Sequence, residues 1–269
     1  MQILNRLKSK KVRYILYSLV LFILFIWADS VLQSGGSCVL PNTLLFLVAF
    51  TGTLFTQYSS LSDYKSFLVL ILPLGLTLGV LLTLYFFPNF SFIFKLLGFF
   101  VVSILYYLIN LVNNIFLVVE EKADIIPLYR VALTWSQILL IIVSIPLFAG
   151  IYKLNVSPLL QAGYVGLLSF SFTLYFFWNL WFDKRVRKIS LVDLVINCLL
   201  CTFFVVSTGL AISFIPAESF LRALFSASIL LFGLNYLDAH MKNRINSSLM
   251  YQYGVISLIF LIFILIFRP

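Results

Sequence analysis

The stretch KVRYILYSLVLFILFIWADS, residues 11–30, opens on two cations and then runs free of charge from Tyr14 to Ala28. With its flanks it reaches the about 20 mostly apolar residues that an α-helix needs to cross a bilayer. A lipid-facing barrel strand would alternate apolar and polar residues, and no such alternation appears, so helix is the expected conformation. Lys11 and Arg13, with Arg6, Lys8 and Lys10 before them, mark this end as cytoplasmic, because basic flanks stay inside. Working outward, eight more apolar segments follow. The expected spans lie near 12–32, 43–61, 66–87, 92–118, 131–152, 158–182, 191–215, 219–237 and 248–267.

Composition agrees with that reading. Of the 269 residues 62% are hydrophobic, 17% aromatic and only 10% charged. A soluble domain carries about 25% charged residues. So few polar groups could not cover a water-soluble globule, whereas hydrocarbon solvates Leu, Ile and Phe directly. The same numbers exclude a disordered chain. The expected fold class is all-α: a polytopic transmembrane helix bundle of about nine spans. Residues 1–11 are expected as a cytoplasmic basic tail and residues 12–269 as a single membrane domain.

Charge placement sets the orientation. With the N-terminus inside, the inner segments hold Arg6, Lys8, Lys10, Lys11, Arg13, Lys65, Lys122, Arg130, Lys184, Arg185, Arg187, Lys188, Lys242 and Arg244. Only Lys95, Lys153, Arg222 and Arg268 of the 18 basic residues fall outside. This asymmetry predicts a cytoplasmic N-terminus, an outer C-terminus and a plasma-membrane location. The net charge of +9 does not point to nucleic acid, since the cations cluster at span ends rather than on one soluble face. The partner expected first is the lipid bilayer. The first span also has the outline of a signal peptide, with Gly35-Gly36-Ser37 before Cys38. The Leu usual three residues before the Cys of a lipoprotein processing site is missing, and Asp29 and Gln33 intervene, so a retained helix is expected.

Chemistry-bearing motifs are scarce. Cys198 and Cys201 form C-x-x-C on one helix face, but deep within an apolar span, where a reactive thiolate would lack polar surroundings. They are read as small apolar residues. Cys38 has no second outer cysteine to pair with. His240, the only histidine, has no Cys or Glu at ligand spacing, so no metal site is expected. No phosphate loop, dinucleotide fingerprint, nucleophile elbow or zinc-protease helix occurs. The aspartate-rich signatures of membrane prenyl and CDP-alcohol transferases are missing too. Neither a catalytic nor a cofactor-binding residue is assigned, and no cofactor is expected.

Polar residues inside spans are costly in hydrocarbon, so their placement carries information. Asn110, Asn114 and Glu121 share one face of the fourth span, with Asn113 and Glu120 beside them. Arg130, Thr134 and Gln137 repeat the four-and-seven spacing on the fifth. Asn179 and Asp183 end the sixth span, Asp193 and Asn197 open the seventh, and Asn235 and Asp238 close the eighth. Asn110, Asn113, Asn114, Glu120, Glu121, Arg130, Thr134, Gln137, Asn179, Asp193, Asn197, Asn235 and Asp238 form a candidate polar vestibule on the cytoplasmic side. The alternative is that these side chains bond neighbouring helices, at about 0.6 kcal/mol each. Glu218 and Arg222, four apart, are read as an interfacial salt bridge. Pro73 and Pro146 should kink their helices and free carbonyls one turn earlier. Gly75 and Gly79 offer a close helix contact, within the bundle or between copies.

The segment LVNNIFLVVEEKADIIPLYRVALTWSQ, Leu111–Gln137, resembles a family of bacterial multi-pass membrane proteins. The asparagine-ending helix, the Pro-Leu-Tyr-Arg turn and the next apolar span carry the likeness. That family has no assigned activity, so the resemblance implies membrane location and no mechanism. Three functions are compatible with the chain. The first is a non-catalytic membrane-embedded assembly or interaction component, with a membrane-protein partner or a second copy of itself. The alternatives are a carrier or lipid-handling permease using the vestibule, and an enzyme on a lipid-linked or phosphorylated substrate. In the enzyme, Arg130 would bind an anion and Glu120 or Glu121 act as base. A filled core favours the first, a continuous cavity reaching midplane the second, and a groove opening sideways to lipid the third.

Overall fold

The structure is a computed structural model that describes residues 10–33, 39–57, 64–122, 128–183, 186 and 191–267. Arg6, Lys8, Cys38, Pro127, Lys184, Arg185, Arg187, Lys188 and Arg268 lie outside the described residues, as do the side chains of Lys65 and Lys122. Among the described residues there are nine α-helices and no strand, so the chain is an all-α helical bundle. The helices are α1 (Lys10–Gln33), α2 (Val39–Gln57), α3 (Ile71–Phe86), α4 (Phe92–Lys122), α5 (Leu128–Lys153), α6 (Pro158–Trp181), α7 (Leu191–Ser213), α8 (Ser219–Met241) and α9 (Ser247–Ile266). A 3₁₀ helix, Tyr64–Leu70, leads into α3. The first eight are long and apolar enough to cross a membrane, counting the 3₁₀ helix with α3. The described apolar part of α9, Tyr251–Ile266, is shorter.

Local sequence explains where the helices start and stop. α2 begins at Val39 rather than near residue 43 because Pro41 sits in its first turn, where the missing N–H has no intrahelical partner to lose. Pro73 stands three residues into α3, just after the 3₁₀ turn, and Pro88 follows the end of the same helix. α6 starts on a Ser157 cap, whose side chain accepts from Leu160 N–H, with Pro158 in the first helical position. At the end of α8, Asn243 takes the left-handed conformation (φ 50°), and Asn243 and Arg244 N–H donate back to the His240 and Ala239 carbonyls. That is the Schellman pattern, with Asn in place of the usual Gly.

The chain divides into two compact units, Met1–Ala132 and Leu133–Pro269, with the boundary inside α5. In the first unit α1 packs against α2 and α4, and α2 against α3. Leu21, Phe25, Leu45, Leu72 and Phe116 are fully buried there. α1 and α2 approach closely at Gly52, where an added Cβ would overlap the Tyr17 ring. Gly75 and Gly79 are both buried within this unit. In the second unit α6 packs against α7, and α8 against α7 and α9. Gly166 faces Val206 and Gly233 faces Cys201 in the same manner, leaving no room for a Cβ. Exposed Ile, Leu and Phe side chains cover much of both units, as a lipid-solvated surface allows.

Candidate functional site

The most developed polar arrangement lies inside the first unit, on α1, α2, the 3₁₀ helix, α3 and α4. Asn110 and Asn113 are completely buried, and both point into these contacts. Asn110 Oδ1 accepts from Thr56 Oγ1 at 3.2 Å, and its carbonyl accepts from Gln57 Nε2 at 3.1 Å. Tyr14 in turn donates to Gln57 Oε1 at 3.3 Å. One turn along, Tyr17 bonds Thr53 at 3.1 Å and the Ala49 carbonyl at 2.9 Å. Farther on, Tyr106 and Thr77 share a 2.6 Å hydrogen bond over the Pro73 carbonyl.

Asn113 answers a defect that proline creates. Pro73 has no N–H to give to the carbonyl four residues earlier, which is that of Val69. Asn113 Nδ2 donates to that carbonyl at 3.1 Å. The freed carbonyl expected from the sequence is thus present, and α4 supplies its donor.

Two charged contacts bound the ladder. At one end Lys10 Nζ donates to Asn114 Oδ1 at 3.1 Å, and Ser66 donates to Glu120 at 2.9 Å. At the other, Lys95 and Asp29 form a 2.7 Å ion pair whose side chains are only 4% and 9% exposed. Gln33 Nε2 donates to the second Asp29 oxygen at 2.7 Å, so the carboxylate is bonded on both sides. Nineteen residues of α1, and as many of α4, separate the two contacts. At 1.5 Å per residue that is about 28 Å, close to a bilayer's hydrocarbon thickness.

The other proposed vestibule residues are placed differently. Glu121 and Arg130 are exposed in the first unit, with Asn114 and Glu120 half-buried. In the second unit Thr134 and Asp193 are exposed and Gln137 is half-buried, while Asn179 is fully buried. Asn197 and Asn235 donate at 2.8 Å to carbonyls of their own helices, those of Asp193 and Leu231. Lys242 bonds Asp238 and reaches Asp183 at 3.5 Å. His240 is exposed and stacks on Tyr236 at 5.8 Å. The expected Glu218–Arg222 pair is not formed: Arg222 donates instead to the Ile215 carbonyl at 2.9 Å. Ile215 follows the end of α7, where carbonyls lack helical partners, and an exposed ion pair competes poorly with such an acceptor.

Cys198 and Cys201 are buried and unpaired, and Cys198 packs in an apolar cluster with Phe177 and Met241. Among the described residues no group of three or more His, Cys, Asp or Glu could hold a metal ion. Sequence reading missed Asp29–Lys95 and the α1–α2 tyrosine–threonine bonds. Their signal was present as the Thr-rich second span ending at Gln57, and as one acid and one base at matching depth. Among the described residues of the first unit, grooves open along the helix surfaces. One of about 650 Å³ lies between α2 and α3, lined mainly by Leu, Phe and Tyr. Another, of about 420 Å³, lies between α1 and α2. Comparison with protein-family models, with curated proteins and with solved structures finds no match to this chain.

Proposed function

We propose that this integral membrane protein is a non-catalytic assembly or interaction component of the plasma membrane, with a cytoplasmic N-terminus and an outer C-terminus. One observation carries the reading: Asn110 and Asn113, both completely buried, are bonded to neighbouring helices rather than left facing an open space. A carrier needs polar groups that exchange protein partners for solute, and these are engaged across three elements. An enzyme on a lipid-linked substrate needs its acid, base and anion-binding group beside the groove. Among the described residues, the α1–α2 and α2–α3 grooves are lined chiefly by apolar side chains, and neither includes Glu120, Glu121 or Arg130. The orientation rests on charge asymmetry. Lys95, an apparent exception to it, is neutralised by Asp29.

The test is cross-linking in intact membranes, followed by purification of the full chain and mass spectrometry. A stoichiometric membrane-protein partner or second copy, retained in Asn114→Leu and Arg130→Ala, is the expected result. A small solute that co-purifies with the wild type, and is lost in either folded variant, would overturn the reading in favour of a carrier.

A further inference from the structure

The groove between α1 and α2 has a composition that the rest of the first unit does not explain. Its walls are Leu16 and Val20 on α1 and Val48 and Phe55 on α2, with Gly52 at the floor. Leu16, Val20 and Phe55 are 43%, 46% and 69% exposed, so the groove faces outward from the unit. Arg13 stands at one end, and its Nε is buried without a hydrogen-bond partner among the described residues. No ion pair engages this half-buried cation there, whereas the buried Lys95 has its own carboxylate. The two ends of the groove are therefore chemically different. From Arg13 to Val20 is seven residues, about 10 Å of helix.

A slot apolar along its length and cationic at one mouth matches a phospholipid. An acyl chain would lie against Leu16, Val20, Val48 and Phe55, and the phosphate would meet the guanidinium. Guanidinium pairs with phosphate through two parallel N–H···O bonds. Gly52 is required for the groove's form: any side chain there would collide with Tyr17, which makes up part of the wall. Basic pockets between membrane helices bind anionic head groups, and the inner leaflet is where such lipids concentrate. We propose that the α1–α2 groove is a binding site for one anionic phospholipid of the inner leaflet, held by Arg13 at its phosphate. This inference takes its leaflet from the proposed orientation but does not depend on the assembly reading, and a different measurement tests it.

The purified full chain is reconstituted in nanodiscs of phosphatidylcholine, alone or mixed with phosphatidylglycerol, and the lipid retained after release is counted by native mass spectrometry. The wild type should retain one phosphatidylglycerol in preference to phosphatidylcholine. Arg13→Gln should lower that retention about tenfold, the scale set by losing charge-assisted hydrogen bonds to one phosphate. Val20→Trp, which fills the groove while leaving Arg13 in place, should lower retention of both lipids. Lys11→Gln removes the same charge two residues away and should leave the preference intact. Equal losses in Arg13→Gln and Lys11→Gln would overturn the site, as that is non-specific attraction to a basic end. A dimer abolished by Val20→Trp but indifferent to lipid would also overturn it, placing a second copy in the groove. Helical content of each variant, read by circular dichroism, separates lost binding from lost fold.

Discussion

Asp29 and Lys95 show how far a single residue's meaning depends on its partner. Each charge alone in an apolar span would cost several kcal/mol, and together, with Gln33, they close a bonded group. Removing one partner of a buried pair costs about 3–5 kcal/mol, because the other charge is left uncompensated. Lys95→Met and Asp29→Asn should each destabilise on that scale in detergent-titrated unfolding followed by circular dichroism. The double variant Asp29→Leu/Lys95→Met should recover most of the loss, and a double variant as unstable as the worse single one would deny the pairing. Asn110 is a milder case. Asn110→Leu removes the acceptor of Thr56 while leaving the backbone bond from Gln57, so a loss of about 1–2 kcal/mol is expected in the same assay.

The 3₁₀ helix that leads into α3 is coupled to α4 through a bond that neither sequence stretch announces by itself. Pro73 removes a donor from the Val69 carbonyl, and Asn113 restores one from across the unit. Asn113→Leu in the wild-type chain should therefore cost about 1–2 kcal/mol, the scale of leaving a carbonyl unsatisfied. In a Pro73→Ala background the helix supplies its own N–H to Val69, and the same substitution should cost clearly less. A double-mutant cycle with no interaction energy would sink this account. α1 and α2 depend on space rather than on a donor. Gly52→Ala should push the Tyr17 ring aside, disturb its bonds to Ala49 and Thr53, and cost about 1–3 kcal/mol through overpacking. Tyr17→Leu combined with Gly52→Ala should cost less than the sum of the two single changes. Helices were legible from apolar length, and their ends differ by a few residues from the expected segments. Pro41 moved the start of α2 earlier, and Pro73 split the third span into a 3₁₀ turn and a helix, since proline's effect depends on its distance from the helix start.

For the whole molecule, orientation is the property that charge patterning predicts and that labelling can read. In a chain without its native cysteines, Asn89→Cys should react with an impermeant maleimide on intact cells. Asn243→Cys should react only after the membrane is opened, and the reverse pattern would invert the topology. The sequence by itself determined that this chain is an α-helical membrane protein. Apolar runs of about 20 residues leave the backbone no partner except its own carbonyls, and so force helix. It also marked which residues were costly to place in hydrocarbon, Asn110, Asn113 and Asn114 among them. What each of those residues touches was decided only by the tertiary structure. A lone Asn in a span reads the same whether it lines a cavity or bonds a neighbouring helix. Asn113 meets the Val69 carbonyl, and Lys95 meets Asp29, because packing brings together positions 44 and 66 residues apart. Helical periodicity reaches only a turn or two along the chain, so pairings at that range are set by how the helices dock.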